Sequence, residues 1–183
     1  TSDGNATDVG DLTVARHNQA GQSSTTYGYT SGGEGGSTTN VIDKFSFTTD
    51  GNATDVGDLT LARKFVSGQS SENHGYTSGG NNSSGTQQNI IDKFTFASDA
   101  NATDVGDMSV ARYYTSGQSS TAHGYTSGGL PTEDIIDKFA FASDGNATDV
   151  GNLTVGRHGG AGQSFTTHGY CSGGNDPHVN VID

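Results

Sequence analysis

The sequence predicts an all-β fold built from four copies of one repeat, and three observations predict it. The string GYTSGG or GYCSGG occurs once in each copy and is followed by Ile-Asp. One asparagine recurs at spacings of 47, 49 and 45 residues: Asn5, Asn52, Asn101 and Asn146. Only 29% of the residues are hydrophobic, so one repeat cannot form a core alone, and stacked repeats have to cover one another. We therefore expect residues 1–183 to form a single repeat domain, whose copies 1 to 4 begin after Arg16, Arg63, Arg112 and Arg157.

Each copy opens with two predicted strands. In copy 1 these are AGQSSTT and YGYTSGG, which are rich in Thr and Tyr and are bounded by Gly. Alternation puts Tyr27, Tyr29 and Ser31 on one face, and Gly28 and Thr30 on the other. We expect the glycine face to let a neighbouring sheet approach closely.

The third predicted strand is NVIDKFSF, with Phe45 and Phe47 on one face and Ile42 on the other. Apolar groups on both faces predict a strand packed between two neighbouring sheets. The fourth strand is ATDVGDLTVAR, in which we expect Leu12 and Val14 to point inward together. Four short strands in about 47 residues match the length of a β-propeller blade.

Nearly all length variation lies in the connector after Gly-Gly. From its second Gly to the Ile of Ile-Asp the separations are 9, 11, 7 and 8 residues. Variation in one loop indicates either a recognition surface or a site where insertions are tolerated.

The order of these signals resembles the kelch-type β-propeller repeat, the group that includes the galactose oxidase propeller. The matching positions in the first two copies are Arg16, Tyr29, Gly32-Gly33 and Val41-Ile42, then Arg63, Tyr76, Gly79-Gly80 and Ile90-Ile91. The resemblance covers the whole chain and departs from kelch in the outer strand, where TDVGDL stands in place of a Trp. It implies an all-β β-propeller of four-stranded antiparallel blades, with four kelch-like repeats per chain.

The combination of GYTSGG, IDKF and DGNATDVG also resembles tandem repeats predicted in marine bacteriophage structural proteins. That resemblance implies a virion or surface role. In such propellers the innermost strand, here GQSS or GQSF, lines a central channel, and its glutamine forms a ring there or bonds to the neighbouring blade. The recurring arginines are expected to tie blades together through Asp or carbonyl partners.

The chain ends match different parts of one repeat, so we expect the N-terminal outer strand to complete the C-terminal blade and close the ring. Two chains in an eight-bladed ring, which would be a homo-oligomer, and a longer array remain alternatives.

A net charge of −12 argues against nucleic-acid binding, and no apolar run approaches the ~20 residues of a membrane span. The Gly, Ser, Thr, Asn and Asp content with few Lys favours an extracellular or virion-surface location.

Two sets of residues are candidate ligand sites. The DGNATDVGD loops offer oxygen ligands for calcium, the only cofactor we consider: Asp3, Asn5, Asp8, Asp50, Asn52 and Asp55. The same residues also make turns through bonds to the backbone. The turn after each Arg, which in kelch-like propellers shares a face with the connector, carries His17, Asn18, Lys64, Phe65, Tyr113, Tyr114 and His158. These side chains could stack on sugar rings, anchor a protein, or pack over blade edges.

His74, His123 and His168 replace Tyr27, either as metal ligands near the axis or as packed aromatic groups. We find no catalytic constellation and expect a non-enzyme. The leading hypothesis is an adhesion or receptor-binding module for a glycan or host-surface receptor. The rivals are a structural subunit that binds sister subunits and, as a third hypothesis, a glycan-cleaving enzyme.

Overall fold

The structure is a computed structural model that describes residues 4–131, 134–175 and 178–183. It is all-β, with three four-stranded antiparallel sheets and two two-stranded sheets. No helix that could cross a membrane occurs within those ranges. Of the predicted site residues, only Asp3 lies outside them.

The strands follow the predicted segments copy by copy. Copy 1 contains β1 (Ala20–Ser23), β2 (Tyr27–Ser31), β3 (Val41–Ser46) and β4 (Thr54–Asp58). Copy 2 and the Arg before it contain β5 (Arg63–Lys64), β6 (Ser67–Ser70), β7 (His74–Ser78), β8 (Asn81–Asn82), β9 (Ile90–Thr95) and β10 (Thr103–Asp107). Copy 3 contains β11 (Ser116–Ser119), β12 (His123–Ser127), β13 (Ile135–Ala140) and β14 (Thr148–Asn152), and copy 4 contains β15 (Ala161–Ser164) and β16 (Gly169–Ser172).

Copies 1 to 3 each form one meandering sheet, in the orders β1-β2-β3-β4, β6-β7-β9-β10 and β11-β12-β13-β14. The register is the same each time: Gln22 lies opposite Tyr29, as Gln69 lies opposite Tyr76. In copy 4, β15 pairs with β16, and an isolated bridge joins Ser172 to Ile182. The prediction of four strands per copy is thus confirmed for three copies, and the repeated sheets are consistent with blades.

The hydrophobic core lies between copies. One cluster joins Tyr29, Ile42 and Leu59 to Phe94 and Ala102 of copy 2. The second cluster, between copies 2 and 3, repeats it with Tyr76, Ile91, Met108, Phe139 and Ala147. Because each cluster draws on two copies, the copies bury apolar surface only by stacking. The third strand is indeed packed on both faces, since in copy 2 Ile91 faces copy 3 and Phe94 faces copy 1.

The expected role of the glycine face is wrong for Gly28. A Cβ there would lie 2.3 Å from the ring of Phe45, which is its partner on the adjacent strand of the same sheet. Neighbouring copies approach at the innermost strand instead: a Cβ on Gly68 would lie 2.2 Å from the carbonyl oxygen of Gly21. The glycine that admits the neighbour is therefore that of GQS, not that of YGY.

The inward pair predicted in the fourth strand is also wrong in its second member. In the equivalent pair before copy 3, Met108 is 2% exposed, but Val110 is 39% exposed, and Val14 is 43% exposed. The strand ends at Asp58, because the next residues turn toward copy 2, where Thr60 donates hydrogen bonds from its N–H and Oγ1 to Asp92. Only the first apolar residue after the strand reaches the core.

The recurring arginines bind Asp and carbonyl partners, as expected. The four ion pairs are Arg16–Asp43, Arg63–Asp92, Arg112–Asp137 and Arg157–Asp183. In the second pair both side chains are fully buried at 3.1 Å, and Arg63 also donates to the carbonyl oxygen of Thr77 at 2.8 Å. Burial lowers the pKa of Arg63, and the carboxylate of Asp92 opposes that effect. The pair fixes the chain that enters each copy to that copy's third strand.

Candidate recognition face

The turn after each Arg lies beside the variable connector of its own copy. Bridges join His17 to Glu34, Tyr113 to Leu130, and His158 to Asn175, while in copy 2 β5 pairs with β8. The two most variable parts of the repeat therefore share one edge of the array, which we call the loop face. This adjacency is the one that the kelch resemblance implies.

Three non-glycine residues of the loop face have left-handed backbone. Asn18, Phe65 and Tyr114 have φ values of 60°, 57° and 57°, and Gly159 holds the equivalent place with a φ of 65°. The turn thus demands a positive φ in every copy. Glycine adopts it at little cost, whereas Phe and Tyr pay about 1 kcal/mol or more. Bulky residues at such positions are rare and concentrate at functional sites.

Backbone hydrogen bonds link these turns from copy to copy. Phe65 N–H donates to the carbonyl of Asn18, Tyr114 N–H to Phe65, and Gly159 N–H to Tyr114, at 2.9, 3.0 and 2.9 Å. One repeated backbone contact therefore holds the turns of successive copies next to one another. The sequence pattern predicted residues on one face, and the hydrogen bonds show that they form an ordered line.

The side chains on this line form a continuous aromatic row, which consists of Phe65, Tyr113, Tyr114 and His158. Phe65 and Tyr114 are closest, with ring centroids 4.0 Å apart. Tyr113 lies 5.9 Å from Phe65 and 5.6 Å from Tyr114, and His158 lies 5.8 Å from Tyr114. Tyr114 is exposed and the other three are half-buried, so the row presents ring surface to solvent.

One ion pair borders the row. Lys64 donates to Glu34 at 2.6 Å and lies 5.3 Å from the centre of the Phe65 ring. Partial burial raises the pKa of Tyr114 above its ordinary value, and a tyrosine hydroxyl is in any case protonated at neutral pH and available as a donor. Glu34 was missed in the sequence, although its place directly after Gly-Gly in copy 1 is the signal that could have found it. His17 lies at the copy 1 end of the face and is exposed.

The predicted calcium ligands take part in hydrogen bonds of the backbone. Asp8 and Asp55 each accept the N–H two residues on, at 3.1 Å. Asn52 Oδ1 accepts the N–H of Asp11 at 3.0 Å and so joins two consecutive repeats. Asn5 and Asp50 are exposed. These bonds are the turn chemistry that the sequence offered as the alternative.

Across the described ranges no three His, Cys, Asp or Glu side chains gather as metal ligands. The calcium site stays a prediction, and comparing the melting temperature in excess calcium and in chelator tests it.

The histidines that replace Tyr27 pack as aromatic groups. His74, His123 and His168 lie 6.4, 6.3 and 6.4 Å from the tyrosine two residues on in their own strands. Burial lowers the pKa of His74, and the charge of Lys93 lowers it further.

No protein-family model matches the chain, and a search of curated proteins finds no match. The resemblance to kelch repeats therefore rests on the residues and on the repeated sheets themselves.

Proposed function

We propose that the chain is an array of kelch-like β-propeller blades that acts as a non-enzymatic adhesion or receptor-binding module on the outside of a virion or a cell. Three complete four-stranded sheets in a constant register support the blade architecture. The arginine before each copy, the Gly-Gly after the second strand and the buried Ile42 and Ile91 of the third stand in kelch order. In this proposal the loop face is the contact surface.

The observation that carries the proposal is the strained aromatic row. Glycine at every left-handed position would give the same turn at a lower conformational energy, as Gly159 does in copy 4. Copies 2 and 3 instead hold Phe65 and Tyr114 there, while copy 1 holds Asn18, a residue type that tolerates this backbone angle. Because the turn needs only a left-handed backbone angle, the presence of strained bulky residues there indicates that their side chains have a use.

The chemistry of the row fits a glycan or a host-surface receptor with exposed apolar faces. Aromatic rings bind the C–H faces of sugars, and the tyrosine hydroxyls and the Lys64–Glu34 pair supply polar partners at the rim. With a net charge of −12, the chain repels strongly anionic polymers. We therefore favour neutral glycans over acidic polysaccharides.

A glycan array that includes bacterial surface polysaccharides tests the proposal. We expect reproducible binding that is lost in the Tyr113→Ala/Tyr114→Ala variant. The matched control is Tyr27→Ala, because Tyr27 is 40% exposed but starts β2 at the end remote from the loop face. Binding that survives the double variant, or that Tyr27→Ala abolishes equally, would contradict the assignment of the site.

The second candidate function is a structural subunit that binds sister subunits. The observation that favours it is exposed apolar surface at the two ends of the array, where Phe47 and Tyr170 are 54% and 44% exposed. If the chain bound nothing on the glycan array but assembled stably with itself, this function would be favoured over recognition.

A further inference from the structure

The contact between consecutive copies, which we call the copy interface, repeats the same hydrogen bonds three times along the chain. At the innermost strands, the carbonyl oxygens of Gly21, Gly68 and Gly117 lie within 2.4 Å of where a Cβ on the next copy's glycine would stand. The serine that follows is bonded in the same way: Ser23 N–H donates to Ser70 Oγ, Ser70 N–H to Ser119 Oγ, and Ser119 N–H to Ser164 Oγ, at 3.0, 3.0 and 2.8 Å.

The glutamine of each GQS crosses the same interface. Gln22 Nε2 donates to the Tyr76 carbonyl at 2.9 Å and to Thr77 Oγ1 at 3.0 Å. Gln69 and Gln118 donate to the carbonyls of Tyr125 and Tyr170 in turn. The expectation that these glutamines bond to the neighbouring copy is confirmed for Gln22, Gln69 and Gln118, whose side chains point from one copy to the next.

Aromatic packing completes the interface. Tyr29 lies 5.5 Å from Phe94 and 4.8 Å from Phe96, and Tyr76 repeats this on the phenylalanines of copy 3 at 5.3 and 4.9 Å. The receiving rings meet edge to face, with Phe94 and Phe96 5.8 Å apart at 76°. One copy offers a tyrosine, and the next copy offers a preset pair of rings.

Copy 1 carries the receiving half of this interface without an occupant. Phe45 and Phe47 already meet at 5.9 Å and 78°, which is the geometry of the occupied pair. Among the described residues, no atom lies within 4 Å of where a Cβ on Gly21 would stand, unlike the place of a Cβ on Gly68. We call this surface, which consists of Gly21, Ser23, Phe45 and Phe47, the head face.

Copy 4 carries the donating half. Tyr170 is 44% exposed, whereas its equivalents Tyr29 and Tyr76 are 3% and 2% exposed. Ile182 is 70% exposed, whereas the equivalent Ile42 is fully buried. Gln163 Nε2 donates to Ser172 of its own copy at 2.9 Å, and no bond from it to another copy occurs among the described residues. We call this surface, which consists of Gly162, Gln163, Ser164, Tyr170 and Ile182, the tail face.

Beside the head face, one segment takes the position of an outer strand that the tail face can pair with. The N–H groups of Gly51 and Ala53 donate to the carbonyls of Val9 and Asp11 at 2.8 Å. The outer strand of copy 1 meets copy 2 in the same way, since Ala102 N–H donates to Asp58 at 2.8 Å. Residues 9–11 therefore occupy the place of an outer strand whose inner strands belong to a preceding copy.

The chain's own tail face does not fill this place. Among the described strands, β1 packs against β6 and β11 against β15, but β1 and β15 lack that close packing, and Gly21 stays open. Four copies stacked by one repeated interface thus leave the two faces apart.

We propose that the tail face binds the head face of a second copy of this chain, through the copy interface that already joins the copies within the chain. Gly162 packs on Gly21 of the second copy, Ser164 N–H donates to Ser23 Oγ, and Tyr170 packs on Phe45 and Phe47. Ile182 lies opposite Gly10, as Ile42 lies opposite Gly57 within copy 1. The contact is head-to-tail, so it closes into a ring or extends into a filament.

The test measures the mass of the 183-residue chain in solution by sedimentation and native mass spectrometry at up to about 1 mM. We expect association that Gly21→Ala weakens about 10- to 100-fold, because the new methyl group meets the Gly162 carbonyl of the second copy. Since no described atom of the same chain lies within 4 Å of the new methyl group, we expect the variant to fold normally. Tyr170→Asp is expected to have a comparable effect from the other side, and Ser83→Ala in the exposed connector of copy 2 is the control.

Mixing the two defective variants distinguishes a head-to-tail contact from a symmetric one. Gly21→Ala keeps an intact tail face and Tyr170→Asp an intact head face, so the mixture forms a pair through one intact junction. A wild-type chain that stays monomeric, or association that neither variant weakens, would overturn the proposal, and so would a mixture without mixed pairs.

Discussion

The copy interfaces and the loop face use the same repeat in opposite ways. At the copy interfaces equivalent positions hold the same or a similar residue type with a buried partner, as in Gln22 with Tyr76 and Tyr29 with Phe94. At the loop face each copy holds a different residue on an identical backbone, and the rings are half-buried or exposed. The difference shows that the interface requires particular side chains, while the loop face requires only a backbone angle. The side chains there are thus free to serve a ligand.

The largest effect is expected from breaking a buried ion pair of the frame. Arg63→Met leaves Asp92 buried without its cation, which should lower the free energy of unfolding by about 3–5 kcal/mol. The matched control is Lys44→Met, which breaks the exposed Lys44–Asp99 pair and should cost about 0–1 kcal/mol. Urea unfolding of both variants measures the difference. Equal costs would show that burial of the pair does not matter to the frame.

A smaller effect is expected from a single methyl group at a copy interface. Gly68→Ala places a Cβ 2.2 Å from the Gly21 carbonyl, and this overpacking should cost about 1–3 kcal/mol. Gly21→Ala puts the same group at the same position of copy 1, where nothing lies within 4 Å, and should cost less than about 0.5 kcal/mol. Thermal melts of dilute protein compare the two. If Gly21→Ala lowered the stability as much as Gly68→Ala, the two glycines would not differ in packing as the structure indicates.

Much of the frame could be predicted from the sequence because it repeats. Four strands per copy, the packing of the third strand on both faces and the Asp partners of the arginines all follow from patterns that recur. The predictions failed where a contact depends on the path of the chain: Phe45 fills the space beside Gly28, and Thr60 turns the chain away from the strand. Neither contact changes the alternation of residues along a strand, so the sequence pattern could not predict it.

The candidate site was predicted in its residues but not in its geometry. The seven positions stand out because they vary at a fixed offset from Arg. Their left-handed backbone was not visible, since only copy 4 carries the Gly that signals it, at Gly159. The partner Glu34 follows Gly-Gly directly, but the equivalent residues are Asn81, Leu130 and Asn175, so no recurring residue type marks the position.

A still smaller effect on stability is expected at the loop face. Tyr114→Gly removes the cost of a left-handed tyrosine, about 1 kcal/mol, and loses ring packing worth about 0.5–1.5 kcal/mol. The net change in unfolding free energy should stay within about 1 kcal/mol. Tyr76→Ala removes the same ring type from a copy interface and should cost about 3–5 kcal/mol. If Tyr114→Gly destabilised the chain as much as Tyr76→Ala, the row would be packing rather than a ligand surface.

The smallest effect concerns pH. It arises at a strand position that varies between copies, where copies 2 to 4 hold His and copy 1 holds Tyr27. Burial, and then Lys93, lower the pKa of His74 below its ordinary value of 6.5. The unfolded chain therefore binds a proton more readily than the folded chain as the pH falls below about 6.5. Stability from the neutral His74 is fully present above that pH and declines below it.

His74→Tyr restores the residue of copy 1 and should flatten this part of the stability curve between about pH 7 and pH 5. Ser83→Ala, in the exposed connector of copy 2, is the control and should leave the slope unchanged. Denaturant midpoints across this range measure both variants. If the stability of His74→Tyr changed with pH in parallel with that of the wild type, burial would not lower the pKa of the His74 imidazole. This strand position would then tolerate a charge as readily as the loop face does.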